Sequence, residues 1–352
     1  MTLRTRVCDL FGIEFPIVQT GMGWVAGARL TSATSAAGGL GILASATMTL
    51  SELERAIHEV KHRTDHPFGV NLRADAVDVE ARIALLVRER VRVASFAQAP
   101  GERTVKTLRD AGVLTMPTVG ATRHAEKVAA WGVDALIAQG AEGGGHTGSI
   151  PTSLLLPAVV DAVAVPVLGA GGFTDGRGLV AALAWGAGGV AMGTRFLLTR
   201  ESTVPDEVKH VYLDTPVTGT VVTTKVDGYP QRVIRTELVE HLERGGRLTS
   251  LPRAARNALG FRRETKARLA DLLREARALH RQQGLTWSQV MMAANAPMMT
   301  KAALVDGRPD AGILPTGQGV GEIEDLPSVA ELVERIMKEA TDTLARLESG
   351  AP

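Results

Sequence analysis

Short apolar and β-branched runs recur along roughly the first two hundred residues, and polar segments with helical spacing separate them. The runs predict eight strands: Pro16–Gly23, Leu40–Ser45, Phe68–Ala74, Val91–Ala97, Val113–Gly120, Asp134–Gly140, Val165–Phe173 and Gly189–Leu197. Successive runs begin 21 to 31 residues apart, which leaves room for one strand and one helix in each unit. The segments between them carry Thr, Ser or Asp where helices are commonly capped.

Eight βα units in about 185 residues predict an α/β fold, the (β/α)8 or TIM barrel. A doubly wound open sheet is the alternative, but it would show fewer units before the pattern changed. After residue 198 strand-like runs become scarce and polar helical segments dominate. We therefore predict a barrel domain over residues 1–198, an inserted, mainly helical domain over 199–310, and a C-terminal segment, 311–352, that returns to the barrel through an amphipathic helix.

Composition and charge exclude several classes of protein. The 352 residues are 45% hydrophobic and 22% charged, which is ordinary for a globular chain and argues against disorder. Lys and Arg number 39 against 38 Asp and Glu, so no net field attracts nucleic acid or a membrane surface. Cys8 is the only cysteine, which excludes an internal disulfide. With no signal-peptide pattern at the amino end, the cytoplasm is the expected compartment.

One local stretch departs from this charge balance. Nine of the residues from Arg253 to Arg281 are Arg or Lys, against three Asp or Glu. Such a run is most often the solvated face of a helix. The sharper hypothesis is a patch for the phosphates of a large anionic substrate such as coenzyme A.

The densest group of chemically capable residues follows the sixth predicted strand, in the sequence from Gln139 to Gly148. Barrel active sites form at the carboxyl ends of strands. The glycines from Gly143 to Gly145 would let backbone approach a flat ligand closely, and His146 could exchange a proton near neutral pH. The alternative is a flexible loop with an incidental histidine.

Glycine-rich turns also follow the seventh and eighth predicted strands, at Val167–Gly176 and Ala191–Arg195. The corresponding loops of TIM barrels commonly bind phosphate through backbone N–H groups. Glycines that merely permit helix packing are the alternative. The sequence GAGGFT is not the dinucleotide fingerprint, because Thr174 stands where glycine or alanine is required.

A second pattern, His58-Glu-Val-Lys-His62, matches the H-E-x-x-H signature of zinc hydrolases. It falls on the helix between the second and third strands, where a barrel helix belongs to the outer ring. We therefore interpret it as a solvated helix face and expect no metal site.

Four motifs taken together resemble the 2-nitropropane dioxygenase-like family of flavin barrels: QTGMGW, GGGH, GAGGF and AMGTRF. That family includes nitronate monooxygenases and flavin-type enoyl-acyl-carrier-protein reductases. The resemblance covers most of the chain, Val226–Arg232 included, and implies a (β/α)8 barrel with an inserted helical domain and FMN as cofactor.

Position by position, the resemblance implies a catalytic histidine at His146 and a set of FMN-binding residues. These are Gly21, Met22, Asn71, Gln139, Gly144, Gly171, Gly172, Gly193 and Thr194. Gly21 and Met22 would lie against the flavin, Asn71 would hydrogen-bond it, and the last four residues would hold its phosphate. The sequence departs from nitronate monooxygenases at Gly143, where they usually have alanine.

Longer stretches of the amino-acid sequence look most like a sub-branch of this family found in bacterial steroid catabolism. The resemblance implies an FMN-dependent dehydrogenase that introduces a C=C bond into a hydroxylated indanone carboxyl-CoA thioester derived from steroid rings C and D. Nitronate monooxygenase, enoyl-thioester reductase and a non-catalytic phosphate-binding barrel are the alternatives. NAD or NADP would serve as the redox partner of the flavin, although no separate motif in the sequence marks a site for it. A homo-oligomer is compatible with the sequence.

Overall fold

A computed structural model describes residues 3–244 and 295–350 of the chain. Within these residues, eight parallel strands close into a barrel. Neighbouring barrel strands follow one another along the chain, and the last pairs back onto the first. The strands are β1 Ile17–Gln19, β2 Leu40–Ala44, β3 Phe68–Leu72, β4 Val93–Phe96, β5 Leu114–Val119, β6 Leu136–Gln139, β8 Val167–Ala170 and β9 Gly189–Met192. The TIM-barrel prediction is confirmed, and closure of the sheet excludes the open-sheet alternative.

Helices follow the strands and cover the barrel. They are α1 Arg6–Phe11, α2 Ala28–Ala36, α3 Leu50–Arg63, α4 Val79–Arg88, α5 Glu102–Asp110, α6 Thr122–Ala130, α7 Thr152–Ala162, α8 Gly176–Ala184, α9 Thr194–Leu197, α10 Asp206–Leu213, α11 Glu237–Arg244, α12 Asn295–Leu304 and α13 Val329–Ser349. Among the helices of the described residues, none is long and apolar enough to cross a membrane.

The helix α3 shows how local sequence produces this outer layer. Thr49 and Glu52 form a capping box at its start, which satisfies two backbone N–H groups that would otherwise lack partners. Leu53, Ile57 and Val60 recur at helical spacing and are fully buried. The apolar side of α3 therefore faces the barrel and its polar side faces solvent.

The barrel interior is filled by alternate residues of the strands. Val18, Ile42 and Val93 belong to one buried apolar cluster, to which α1 adds Val7 and Phe11. Because α1 precedes β1, it lies at the amino end of the strands. The carboxyl ends, where every predicted site loop emerges, remain available for a site.

A small second sheet, which the sequence analysis did not predict, lies beside the barrel. β7 (Gly145–His146) pairs antiparallel with β11 (Gln231–Ile234), which pairs with β10 (Thr220–Thr223). The hairpin β10–β11 belongs to the region predicted as mainly helical. The basic stretch Arg253–Arg281 lies outside the described residues, and the division of the chain into domains stays a prediction.

The C-terminal segment runs back along the barrel. Ile234 N–H donates to the Leu314 carbonyl (3.0 Å) and Gly317 N–H donates to Thr194 Oγ1 (2.8 Å). The helix α13 then packs on α8 and α2. The approach of α13 to α8 requires a glycine, because a Cβ at Gly176 would lie 2.3 Å from the Ala340 backbone nitrogen.

Candidate active site

The predicted site residues all lie at or just beyond the carboxyl ends of barrel strands. Gly21 and Met22 follow β1, Asn71 lies in β3, and Gln139 ends β6. The two remaining pairs follow β8 and β9: Gly171 with Gly172, and Gly193 with Thr194. Closure of the sheet thus brings residues that are up to 173 positions apart in the sequence to one end of the barrel.

Gly21 lies directly against Asn71. A Cβ built on Gly21 would be 2.4 Å from the Asn71 Cβ and 3.3 Å from Ile42 Cγ2. The Asn71 amide in turn donates to Ser95 Oγ at 3.4 Å. Any side chain at position 21 would therefore displace the amide that the sequence predicts to bind the cofactor.

The loops after β8 and β9 expose backbone with little side-chain cover. Gly171 and Gly172 have φ of +99° and +81°, a left-handed conformation that glycine adopts without steric cost. A Cβ on Gly193 would lie 3.2 Å from Thr20 Oγ1 and 3.4 Å from Met22 Sδ. Both loops therefore carry glycine backbone, and Gly193 lies beside the end of β1.

The glycine-rich loop after β6 packs against the returning C-terminal segment. A Cβ on Gly144 would lie 2.5 Å from both the Thr316 carbonyl carbon and the Gly317 nitrogen. The start of the loop is anchored by Glu142, whose carboxylate accepts hydrogen bonds from the N–H (2.9 Å) and Oγ1 (2.7 Å) of Thr152. These contacts fix the loop backbone on both sides.

Arg232 on β11 holds the same loop from the other direction. Its guanidinium donates to the Ala141 carbonyl at 3.0 Å and to Thr220 Oγ1 at 2.8 Å. Burial lowers the pKa of Arg232, and the nearby Glu142 carboxylate opposes that shift. The guanidinium therefore links the small sheet to the barrel mouth, which is the end of the barrel where the carboxyl ends of the strands lie.

His146 forms a side-chain contact with Asp227 that the sequence analysis missed. Its Nε2 lies 2.7 Å from Oδ2 of Asp227, and the Tyr229 ring stands edge-on to the imidazole with centroids 6.1 Å apart. The His146 side chain is 65% exposed, whereas that of Asp227 is 6% exposed. Gln139 Nε2 donates to the His146 carbonyl at 2.7 Å. The arrangement presents an imidazole at the barrel mouth with a buried carboxylate behind it.

A sequence signal for Asp227 did exist. Residues 226–232 carry part of the family resemblance, and the sequence TVVT at 220–223 is rich in β-branched residues that favour a strand. Neither feature indicates that a residue 81 positions downstream of His146 contacts its ring.

The H-E-x-x-H segment forms a surface ion-pair network on the outer ring. His58 Nε2 contacts Glu89 at 3.2 Å, and Lys61 Nζ lies 2.8 Å from the same carboxylate. Hydrogen bonding from Lys61, with smaller effects of Arg88 and His58, lowers the pKa of Glu89 to about 2. Glu54, His58 and Glu89 do come within metal-ligand reach of one another, but Arg88 pairs with both carboxylates. His62 is not part of this cluster.

Comparison with known proteins identifies the family of the chain. The nitronate monooxygenase family model matches residues 4–82 and 74–339. The chain belongs to the nitronate monooxygenase family. Membership in this family makes it an oxidoreductase, as the sequence analysis predicted.

Two members of the nitronate monooxygenase family resemble this chain over almost its whole length. Both are named (3aS,4S,5R,7aS)-5-hydroxy-7a-methyl-1-oxo-octahydro-1H-indene-4-carboxyl-CoA dehydrogenase. The one from Mycobacterium tuberculosis is 60% identical over 343 residues and covers 97% of each chain. The one from Rhodococcus jostii is 57% identical over 339 residues and covers 96% of each chain. The predicted resemblance to the steroid sub-branch is confirmed.

A solved structure supports the same fold. FabK from Thermotoga maritima superposes with a TM-score of 0.80 at 33% identity, covering 98% of this chain and 99% of that one. The barrel and its additions are thus shared with this family neighbour.

Proposed function

We propose that the chain is an FMN-dependent dehydrogenase that introduces a C=C bond into a hydroxy-methyl-oxo-indane carboxyl-CoA thioester. The single observation that carries this proposal is the exposed His146 imidazole, which follows β6 in the glycine-rich loop and has the buried Asp227 carboxylate behind it. The two relatives named for a dehydrogenase of such a thioester support the choice of substrate. The reaction would belong to degradation of steroid rings C and D in the cytoplasm.

The barrel mouth fits FMN. Gly171, Gly172 and Gly193 carry no side chain over the backbone of the loops after β8 and β9, and the first two have positive φ, which suits the close approach of a phosphate to backbone N–H groups. The amides of Asn71 and Gln139 add polar groups at the ends of β3 and β6. When bound, FMN supplies a two-electron acceptor for hydride.

His146 would take the proton in this reaction. The thioester carbonyl acidifies the neighbouring α-carbon, and a neutral imidazole nitrogen can accept the α-proton. Loss of the α-proton to His146 and of the β-hydrogen with its electron pair would form the α,β C=C bond, and FMN held by the residues named above would supply the acceptor for that hydride.

Two further parts of the proposal concern residues outside the barrel mouth and the partner that reoxidises the cofactor. The Arg253–Arg281 stretch would bind the CoA phosphates, because clustered guanidinium groups favour phosphate oxygens. NAD or NADP would accept the electrons from the reduced enzyme.

The test is an anaerobic absorbance measurement on the purified holoenzyme with the indanone carboxyl-CoA thioester. We expect the flavin band near about 450 nm to bleach, and His146→Ala to slow bleaching by about 10²- to 10⁴-fold while the cofactor stays bound. His124→Ala, on the exposed side of α6, is the matched control and should bleach at the wild-type rate.

The second candidate is a nitronate monooxygenase, which the family match itself favours. A flavin that stays oxidised with the thioester but bleaches with an alkyl nitronate would select this reaction over the dehydrogenase.

A further inference from the structure

We propose that Asp227 is a positioning residue that holds the His146 ring in the orientation and tautomer required for proton transfer. The inference rests on the proposed role of His146 and deepens it. It assigns a part in the reaction to the β10–β11 connection, which lies outside the barrel.

The Asp227 carboxylate is itself held in place. Oδ1 accepts the Tyr229 N–H at 3.1 Å, while Oδ2 contacts His146 Nε2 at 2.7 Å. With both oxygens engaged and the side chain buried, rotation of the carboxylate would break two hydrogen bonds. A buried carboxylate without partners is costly, so the pair is a defined arrangement and not a chance surface contact.

The chemistry of the two groups determines the tautomer. An ionised carboxylate only accepts hydrogen bonds, so the neutral ring must carry its proton on Nε2, the nitrogen that faces Asp227. Nδ1 then holds the lone pair that can accept a proton from substrate. The same division of roles, with a third group orienting a catalytic imidazole, recurs in hydrolytic triads.

The backbone of His146 is fixed independently of its ring. His146 is paired with Gln231 in the β7–β11 ladder, Thr147 N–H donates to the Pro230 carbonyl at 3.1 Å, and Gln139 holds the His146 carbonyl. Removing the Asp227 carboxylate should therefore release the ring without moving the strand. This separation makes the inference testable.

The charged groups on the surrounding elements do not substitute for Asp227. Glu142, in the same loop as His146, is bonded to Thr152, and Arg232, on β11, is bonded to the Ala141 carbonyl. Lys225 and Asp227 lie in the β10–β11 connection, and Asp227 contacts the imidazole.

The test compares Asp227→Asn with wild type as holoenzymes, using flavin bleaching by saturating thioester. Asparagine keeps the shape of the side chain but removes the charge and can donate to Nε2, which permits the wrong tautomer. We expect a fall of about 10²- to 10⁴-fold in the bleaching rate, with thioester KM changed less than threefold.

Asp134→Asn is the matched control. Asp134 accepts hydrogen bonds from the N–H and hydroxyl of Thr115 at the amino end of the strands, far from the barrel mouth. Its replacement should lower stability and leave the bleaching rate at saturating thioester unchanged. A purely structural role of Asp227 would give the same pattern and would overturn the inference.

Two outcomes separate this inference from the proposed function. If His146→Ala bleaches at the wild-type rate, the proposed role of His146 is wrong. If His146→Ala is inactive and Asp227→Asn bleaches at the wild-type rate, only the role of Asp227 is wrong. The double variant should be no slower than His146→Ala alone, because both changes remove one function.

A measurement on the wild-type holoenzyme covers the case in which Asp227→Asn does not fold. Nitrogen-15 NMR of histidine-labelled protein distinguishes the two neutral tautomers, and His146→Ala assigns the signal among the eight histidines. We expect the Nε2–H tautomer for His146. An Nδ1–H tautomer would overturn the inference.

Discussion

Replacing Gly144 with alanine tests the close packing between the loop after β6 and the C-terminal segment. The new Cβ would lie 2.5 Å from the Thr316 carbonyl carbon and from the Gly317 nitrogen. Both are backbone atoms, so no side chain can rotate away. The segment 316–317 must retreat from the loop by about 0.9 Å to restore an ordinary contact of about 3.4 Å.

The cost follows from what holds that segment. Gly317 N–H donates to Thr194 Oγ1 and Gln318 N–H donates to the Glu142 carbonyl, both at 2.8 Å. Overpacking typically costs about 1–3 kcal/mol, and each weakened hydrogen bond contributes about 0.5–1.5 kcal/mol to that range. If FMN binding requires the undistorted loop, this energy corresponds to about 5- to 150-fold weaker FMN affinity.

The assay is fluorescence titration of the FMN-free protein with FMN, together with urea unfolding of the holoenzyme. Gly148→Ala is the control in the same loop, since its Cβ would meet nothing nearer than the Gly120 oxygen at 3.7 Å. The reasoning is refuted if Gly144→Ala matches Gly148→Ala in FMN affinity and in unfolding free energy.

Three further predictions concern stability and metal. Since hydrogen bonding, chiefly by Lys61, lowers the pKa of Glu89 to about 2 from its ordinary 4.5, Glu89→Gln should lower the unfolding free energy at pH 7 by about 1 kcal/mol. In urea titrations that difference should be full above pH 4.5 and disappear as pH falls towards about 2. Gly176→Ala should destabilise by about 1–3 kcal/mol in urea, because its Cβ would strike the backbone nitrogen of Ala340; unchanged unfolding would contradict the observed packing of α8 on α13. Dialysis against EDTA should leave flavin bleaching unchanged, since His58 and Glu89 lie in an ion-pair network on the outer ring; a loss restored by Zn²⁺ would show the opposite.

Most of the barrel was predictable because its signals are local. Every predicted apolar run contains one barrel strand, from Pro16–Gly23, which holds Ile17–Gln19, to Gly189–Leu197, which holds Gly189–Met192. Helix caps and apolar periodicity act over fewer than about 20 residues, and successive predicted strands begin only 21 to 31 residues apart. The order of the strands then follows from the rule that successive βα units lie side by side.

The strands β7, β10 and β11 escaped prediction for the opposite reason. β7 has two residues, and β10 and β11 have four each, which is too short for a clear alternation. β10 and β11 pair with each other across 8 to 14 positions, whereas β7 pairs with β11 across 85 to 87 positions, as in the register of His146 with Gln231. Such pairing depends on tertiary contacts, which a single sequence does not display.

The sequence by itself determined the barrel, the glycine-rich loops at its strand ends and the histidine among them, because backbone propensity and glycine content are properties of neighbouring residues. Only the tertiary structure decided that Asp227 meets the His146 ring and that Gly144 meets Gly317. Both contacts join segments distant in the chain, and they form because barrel closure and the β7–β11 ladder bring those segments within hydrogen-bond distance.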